Sequence, residues 1–114
     1  MRESGEMDIE IVVVPDCPNE APAAELLRRA LDDAGLNGTA FTTRTVTDRA
    51  EAELTGFTGS PTILIDGRDP FAEPGRPAGL ACRVYATRGG LSGLPDPDRL
   101  RDALAAAAHT RPRR

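Results

Sequence analysis

A chain of 114 residues is enough for one small domain and excludes a multidomain assembly. Its 39% hydrophobic and 28% charged residues are the proportions of a soluble globular protein and exclude a disordered one. A net charge of −4, with no basic cluster beyond the tail Arg111-Pro112-Arg113-Arg114, speaks against nucleic acid as a partner.

The first six residues, Met1-Arg2-Glu3-Ser4-Gly5-Glu6, are polar and acidic, unlike a secretory signal, and read as a flexible leader ahead of Met7. Ile9-Glu10-Ile11-Val12-Val13-Val14, halted by Pro15, reads as a buried strand of parallel-sheet type. After the turn Asp16-Cys17-Pro18-Asn19 a helix is predicted. Ala23, Leu27, Ala30, Leu31 and Ala34 share one of its faces, and Gly35 supplies the stop. Residues 39–46 are Thr-rich and read as a more exposed second strand. Asp48 with Glu51 marks the cap of a short helix ending at Gly56. A third strand is entered through Gly59-Ser60-Pro61-Thr62 and left through Asp66-Gly67. Residues 68–81 carry Pro70, Pro74, Gly75, Pro77 and Gly79 and form a long loop, a type that in small domains is usually functional or disordered. Cys82-Arg83-Val84-Tyr85-Ala86 reads as a fourth strand. The last helix has Asp96 as cap, Pro97 at its first position, and Leu100, Ala103, Leu104, Ala107 and Ala108 on one face.

The predicted order is β-α-β-α-β-β-α, an α/β fold. The first strand-helix-strand unit implies a parallel crossover, and the later pair of strands is most simply antiparallel. One mixed four-stranded sheet with helices on both faces packs these elements economically. The domain is expected over residues 7–109, with 1–6 as leader and 110–114 as a basic tail. No apolar run approaches the roughly 18 residues of a membrane span, so a cytoplasmic location and no membrane contact are expected. Arginine as the only long basic residue, with abundant alanine, suggests a GC-rich bacterial genome.

Cys17 and Cys82 are the two cysteines. A reducing compartment keeps thiols for reactivity, metal binding or packing rather than as a permanent bridge. Two are too few to close a structural zinc site, and the one histidine, His109, lies near the far end of the chain. Cys17-Pro18 falls between the first buried strand and the first helix. A thiolate there faces unpaired backbone N–H groups and the positive end of the helix dipole, which favour the nucleophilic form. The carboxyl end of a parallel strand is also where α/β sites gather. The plainer role is a small hydrophobe that plugs the end of the sheet. Asp16 opposes the thiolate by its charge, and Pro22 moves the start of regular helix back to about Ala21.

Pro61 lacks the N–H that a central strand needs, so it belongs at an end, an edge or a bend. A cis Ser60-Pro61 bond would turn the Ser60 backbone outward as a free edge for an extended ligand, whereas a trans bond would be an ordinary loop-to-strand junction.

Together these residues resemble the thioredoxin-like superfamily. Val14-Pro15-Asp16-Cys17-Pro18-Asn19-Glu20 stands where its members carry Cys-x-x-Cys or Cys-Pro-x-Cys/Ser after the first core strand. Ser60-Pro61-Thr62 looks like their cis-proline motif before the third core strand, and the Gly-rich approach to the last helix also fits. The resemblance spans about residues 7 to 109. Small chains with this Cys-Pro-Asn, Ser-Pro-Thr and Cys-Arg pattern are labelled thioredoxin-like or, loosely, alkylmercury-lyase-like. The resemblance implies Cys17 as nucleophile, with Pro18, Ser60, Pro61 and Thr62 facing the substrate and no cofactor. Position 20 holds Glu20 where the resolving cysteine would stand, so no dithiol cycle can run inside the motif. Monothiol chemistry remains: Cys17 attacks a mixed disulfide of a small thiol or a protein, and an external thiol completes the cycle.

Cys82 decides between mechanisms. If the third and fourth strands form a plain hairpin, it lies roughly 13 to 17 Å from Cys17, beyond the Cα separation of about 7 Å that a disulfide tolerates. If the loop 68–81 folds back over Cys17, Cys82 becomes a resolving thiol or the second ligand of a soft metal ion such as Hg or Cu. Soft-metal binding is therefore the alternative function, and a non-catalytic interaction module using the Ser60 edge is a third. Among lesser candidates, Glu20 could shuttle a proton and Asn19 could shape the turn or orient a ligand. His109 stands where a cation suits the helix dipole, and Asp66, Asp69 and Asp96 read as turn and cap residues. Phe71 and Tyr85 read as packing for the loop or as walls of a substrate groove.

Overall fold

The computed structural model describes residues 7–73 and 75–110, so the expected leader and the tail residues 111–114 lie outside the described part. The element order is β1 (Ile9–Val13), α1 (Glu20–Asp33), β2 (Thr42–Thr45), α2 (Arg49–Thr55), β3 (Thr62–Ile65), β4 (Tyr85–Thr87), β5 (Gly90–Ser92) and α3 (Pro97–Thr110). The fold is mixed α/β.

β1 is the central strand because its β-branched side chains can be buried on both faces. It pairs parallel with β2, placing Ile11 opposite Thr43, and antiparallel with β3, placing Ile11 opposite Ile63. The sheet order is β2-β1-β3. Ile9, Ile11 and Val13 gather with Ile63 and Ile65 of β3, Ala23, Leu27, Ala30 and Leu31 of α1, and Leu100 and Leu104 of α3. Val12 points the other way and packs with Val46, Ala52 of α2 and Phe57. Alternation along β1 thus divides the core between two helical layers, and the helical faces read from the sequence are the buried ones.

The helix ends follow local chemistry. Beyond α1, the Leu36 N–H donates to Leu31 O at 2.7 Å and the Gly35 N–H to Asp32 O at 3.1 Å, with Gly35 at φ 78°. This is a Schellman closure, and it needs a residue that tolerates positive φ. At α2, Asp48 accepts the Glu51 N–H at 2.8 Å while the Glu51 carboxylate accepts the Thr47 N–H at 3.2 Å. At α3, Asp96 accepts the N–H groups of Arg99 and Arg88, both at 3.3 Å, which fastens the helix start to the turn after β4.

Two expectations need correction. The sheet has three strands, not four, and the segment from Cys82 is not a strand alongside β3. Regular structure resumes only at Tyr85, and β4 pairs antiparallel with β5 in a separate hairpin, Tyr85 opposite Ser92. The outer edge of β3 is closed by other means. Ile65 and Arg68 exchange backbone hydrogen bonds of 2.8 and 3.1 Å around Asp66-Gly67. Both central residues have positive φ, 54° and 81°, as a two-residue hairpin turn requires. Nearer Pro61, side chains from residues 83 and 85 take the place of a fourth strand.

Candidate functional site

Val13 ends β1, and the chain then turns through Asp16, whose φ of 59° a short polar side chain tolerates. Cys17 follows, half-buried against the main core cluster, with a free thiol. The Cys17 carbonyl accepts the Glu20 N–H at 3.2 Å, and Asn19 O accepts the Ala23 N–H at 2.9 Å. Helix α1 begins at Glu20, so Pro22 falls in its first turn, where its missing N–H costs no intrahelical bond. Cys17 stands ahead of that turn. The Asn19 side chain makes no cap bond. It lies against Gly93, where a Cβ would come within 2.5 Å of its Nδ2 atom, so the turn before α3 packs directly on the Cys17 loop.

Opposite Cys17's strand, the Ser60–Pro61 bond is cis. The Ser60 hydroxyl accepts the Val14 N–H at 3.1 Å and so ties this peptide to the end of the strand that delivers Cys17. Ser60 itself is 1% exposed, and Pro61 and Thr62 are buried with it, whereas Pro18 is exposed. The free Ser60 edge expected from the sequence is occupied. Ser60 donates to Ala81 O at 3.0 Å and accepts from the Arg83 N–H at 2.9 Å, which pairs it with Cys82 as an isolated parallel bridge. The loop therefore folds back, and exposed Cys82 sits beside Ser60 rather than at the distal end of a hairpin.

The residue that fixes this fold-back is Arg83, 2% exposed. Its Nη1 donates to Asp69 Oδ2 at 2.6 Å and to Thr62 Oγ1 at 3.1 Å, and its Nη2 donates to Phe71 O at 2.7 Å. Its guanidinium lies 4.5 Å from the centre of the Tyr85 ring, which meets Phe71 edge-on at 5.5 Å. The Tyr85 hydroxyl donates to Pro61 O. Burial pushes the phenol's pKa up strongly, against the opposing pull of the Arg83 charge. The Thr62 hydroxyl, expected to face a substrate, is spent on Gly59 O at 2.6 Å and on Arg83. Asp69 is more than a turn former, although it does cap Phe71 N–H at 2.9 Å.

Asp69 and Arg83 were missed as a pair by sequence reasoning. The signal that could have shown them is an acid and a base near the two ends of a proline- and glycine-rich loop, with Gly59 just ahead of Ser60, although Arg68, Glu73 and Arg76 in the same segment offer competing pairs. Glu20 is exposed at the start of α1, and His109 is exposed in the last turn of α3. Among the described residues, no group of three or more His, Cys, Asp or Glu side chains could hold a metal ion, and no helix is long and apolar enough to cross a membrane. No protein-family model, curated protein or solved structure matches this chain.

Proposed function

We propose that the chain carries out thiol–disulfide exchange through Cys17, in a thioredoxin-like arrangement of thiol and opposing proline. The Cys17 thiolate attacks one sulfur of a disulfide, forms a mixed disulfide with that half and releases the other half as a thiolate. An external thiol then attacks the sulfur of the bound half, which releases Cys17 as its thiolate and leaves a disulfide between the external thiol and that half. The observation that carries this reading is the 3.1 Å bond from Val14 N–H to Ser60 Oγ, because it holds the loop bearing Cys17 against the Ser60–Pro61 peptide. Partial exposure of Cys17 gives a disulfide access, and Pro18 lies open beside it. A cytoplasm rich in small thiols would supply the external reductant.

The test uses reduced protein and oxidised glutathione. Wild type and Cys82→Ser are expected to release glutathione thiol, and Cys17→Ser to release none through an enzyme-bound intermediate. Release from Cys17→Ser equal to wild type, or no reaction of wild type, overturns the proposal.

A second reading is favoured by the Ser60–Cys82 bridge, which puts Cys82 beside the residue whose hydroxyl binds the Val14 N–H ahead of Cys17. Cys17 and Cys82 would then hold a soft metal ion such as Hg(II) or Cu(I) as cargo. One-to-one capture that is lost in either single serine variant, without any exchange activity, supports that reading over the first.

A further inference from the structure

We infer that Cys82 is the resolving thiol for Cys17, and that the strap carrying it restricts the substrate to low-molecular-weight disulfides. This inference rests on Cys17 being the attacking thiol.

Ser60 is the common reference for both cysteines. Its hydroxyl binds the N–H of Val14, three residues ahead of Cys17, and its backbone is bridged to Cys82. Neighbouring paired strands run about 4.8 Å apart, so Cys82 is one strand spacing from Ser60. The strap, residues 80–84, is built to stay there. Arg83 is locked by Asp69, Thr62 and the Phe71 carbonyl, and it passes so close to Gly59 that a Cβ there would lie 2.8 Å from Arg83 Cβ. In an extended segment neighbouring side chains point opposite ways. With Arg83 turned inward, Cys82 is turned out and is exposed.

The same strap uses both backbone groups of Ser60. An extended polypeptide gains affinity by adding as a strand to such an edge, and that mode is closed here. A small disulfide needs no strand pairing and meets no such obstacle.

The chemistry balances in two exchanges. Cys17 thiolate and a disulfide R–S–S–R give Cys17–S–S–R and one RS⁻. Cys82 thiolate then attacks Cys17 Sγ, forming the Cys17–Cys82 disulfide and expelling the second RS⁻. Both released thiolates take up protons from solvent, replacing those lost by the two cysteines. The substrate gains two electrons and the protein loses two. A small dithiol returns the protein to its reduced form and becomes a disulfide in turn.

The experiment treats the reduced full chain with oxidised glutathione, blocks remaining thiols and maps disulfides by mass spectrometry without reduction. Wild type is expected to give a Cys17–Cys82 link, and the exposed-site variant Cys82→Ser to stop at a Cys17–glutathione mixed disulfide. Wild type that accumulates the mixed disulfide with no Cys17–Cys82 link overturns the inference and leaves Cys17 as nucleophile. Absence of any Cys17 adduct in both proteins overturns the underlying reading as well. A disulfide-linked dimer of an extended decapeptide with one central cysteine should react at least ~tenfold more slowly than oxidised glutathione, because it has no edge to pair with. Equal rates would overturn the restriction on substrate size.

Discussion

Arg83 and Asp69 form a charge pair at the edge of β3, 2.6 Å apart, with side chains 2% and 16% exposed. The guanidinium also serves Thr62 and the Phe71 carbonyl, so few of its donors are left without a partner. Removing one member of such a pair strands the other charge away from water. Asp69→Ala is therefore expected to cost about 3 kcal/mol or more in urea unfolding. Replacing both residues with apolar side chains of similar volume should cost much less. A loss below ~1 kcal/mol for Asp69→Ala would show that the pair does not hold the strap.

The two tight glycines should respond differently to alanine. At Gly59 φ is 147°, and the new Cβ would press on the Cβ and backbone of Arg83 at 2.8 and 3.1 Å. Gly59→Ala should cost roughly 2 kcal/mol or more, since backbone has to move. At Gly93 the obstacle is the end of the Asn19 side chain, which can rotate away. Gly93→Ala should cost less than ~1 kcal/mol. Thermal unfolding of the two variants checks the order, and a reversed order contradicts the described contacts.

Tyr85 is the only tyrosine, and there is no tryptophan, so phenolate absorbance reports this residue alone. Its folded pKa is raised by burial. The unfolded chain then releases the proton first. Stability is full below the ordinary phenol pKa of about 10 and falls as pH rises above it toward the folded value. Phenolate should appear at higher pH in the folded chain than in urea, and Tyr85→Phe should flatten the alkaline loss of stability. Coincident titrations would mean that Tyr85 is open to solvent.

Asp96 gives the opposite limb. The Arg88 N–H first, and the Arg99 N–H after it, hold its carboxylate below the usual range, outweighing the effect of burial. A carboxylate lowered on folding adds stability above its unfolded pKa of about 3.9 and loses it as pH falls through the folded value. Asp96→Asn should keep the cap at neutral pH while reducing the fall in melting temperature on acidification. An unchanged acid limb would assign that dependence to other carboxylates.

The contrast between what the sequence disclosed and what it hid follows the range of the interactions. Asp48 with Glu51, Asp96 with Pro97, Gly35 and Asp66-Gly67 act on neighbours within a few residues, so their pattern names the structure they make. Cys82-Arg83-Val84-Tyr85-Ala86 has the composition of a strand, yet Arg83 is drawn inward by Asp69 and admitted by bare Gly59. No local pattern reports a partner 14 residues away in sequence. The position of Cys82 depended on the same fold-back, which is why two arrangements stood open. The Cys17 loop was legible as an apolar strand running into a helix. The Ser60 edge was misread because its occupant comes from the far end of the long loop.

The central claim is that the folded chain makes Cys17 a reactive, reachable nucleophile. Cys82→Ser leaves Cys17 as the one thiol, so its rate of exchange with a coloured aromatic disulfide can be compared in the folded chain and in urea. Exchange at least ~tenfold faster in the folded chain is the expected result, because local structure controls thiol reactivity. A folded rate equal to or below the unfolded one would contradict the claim.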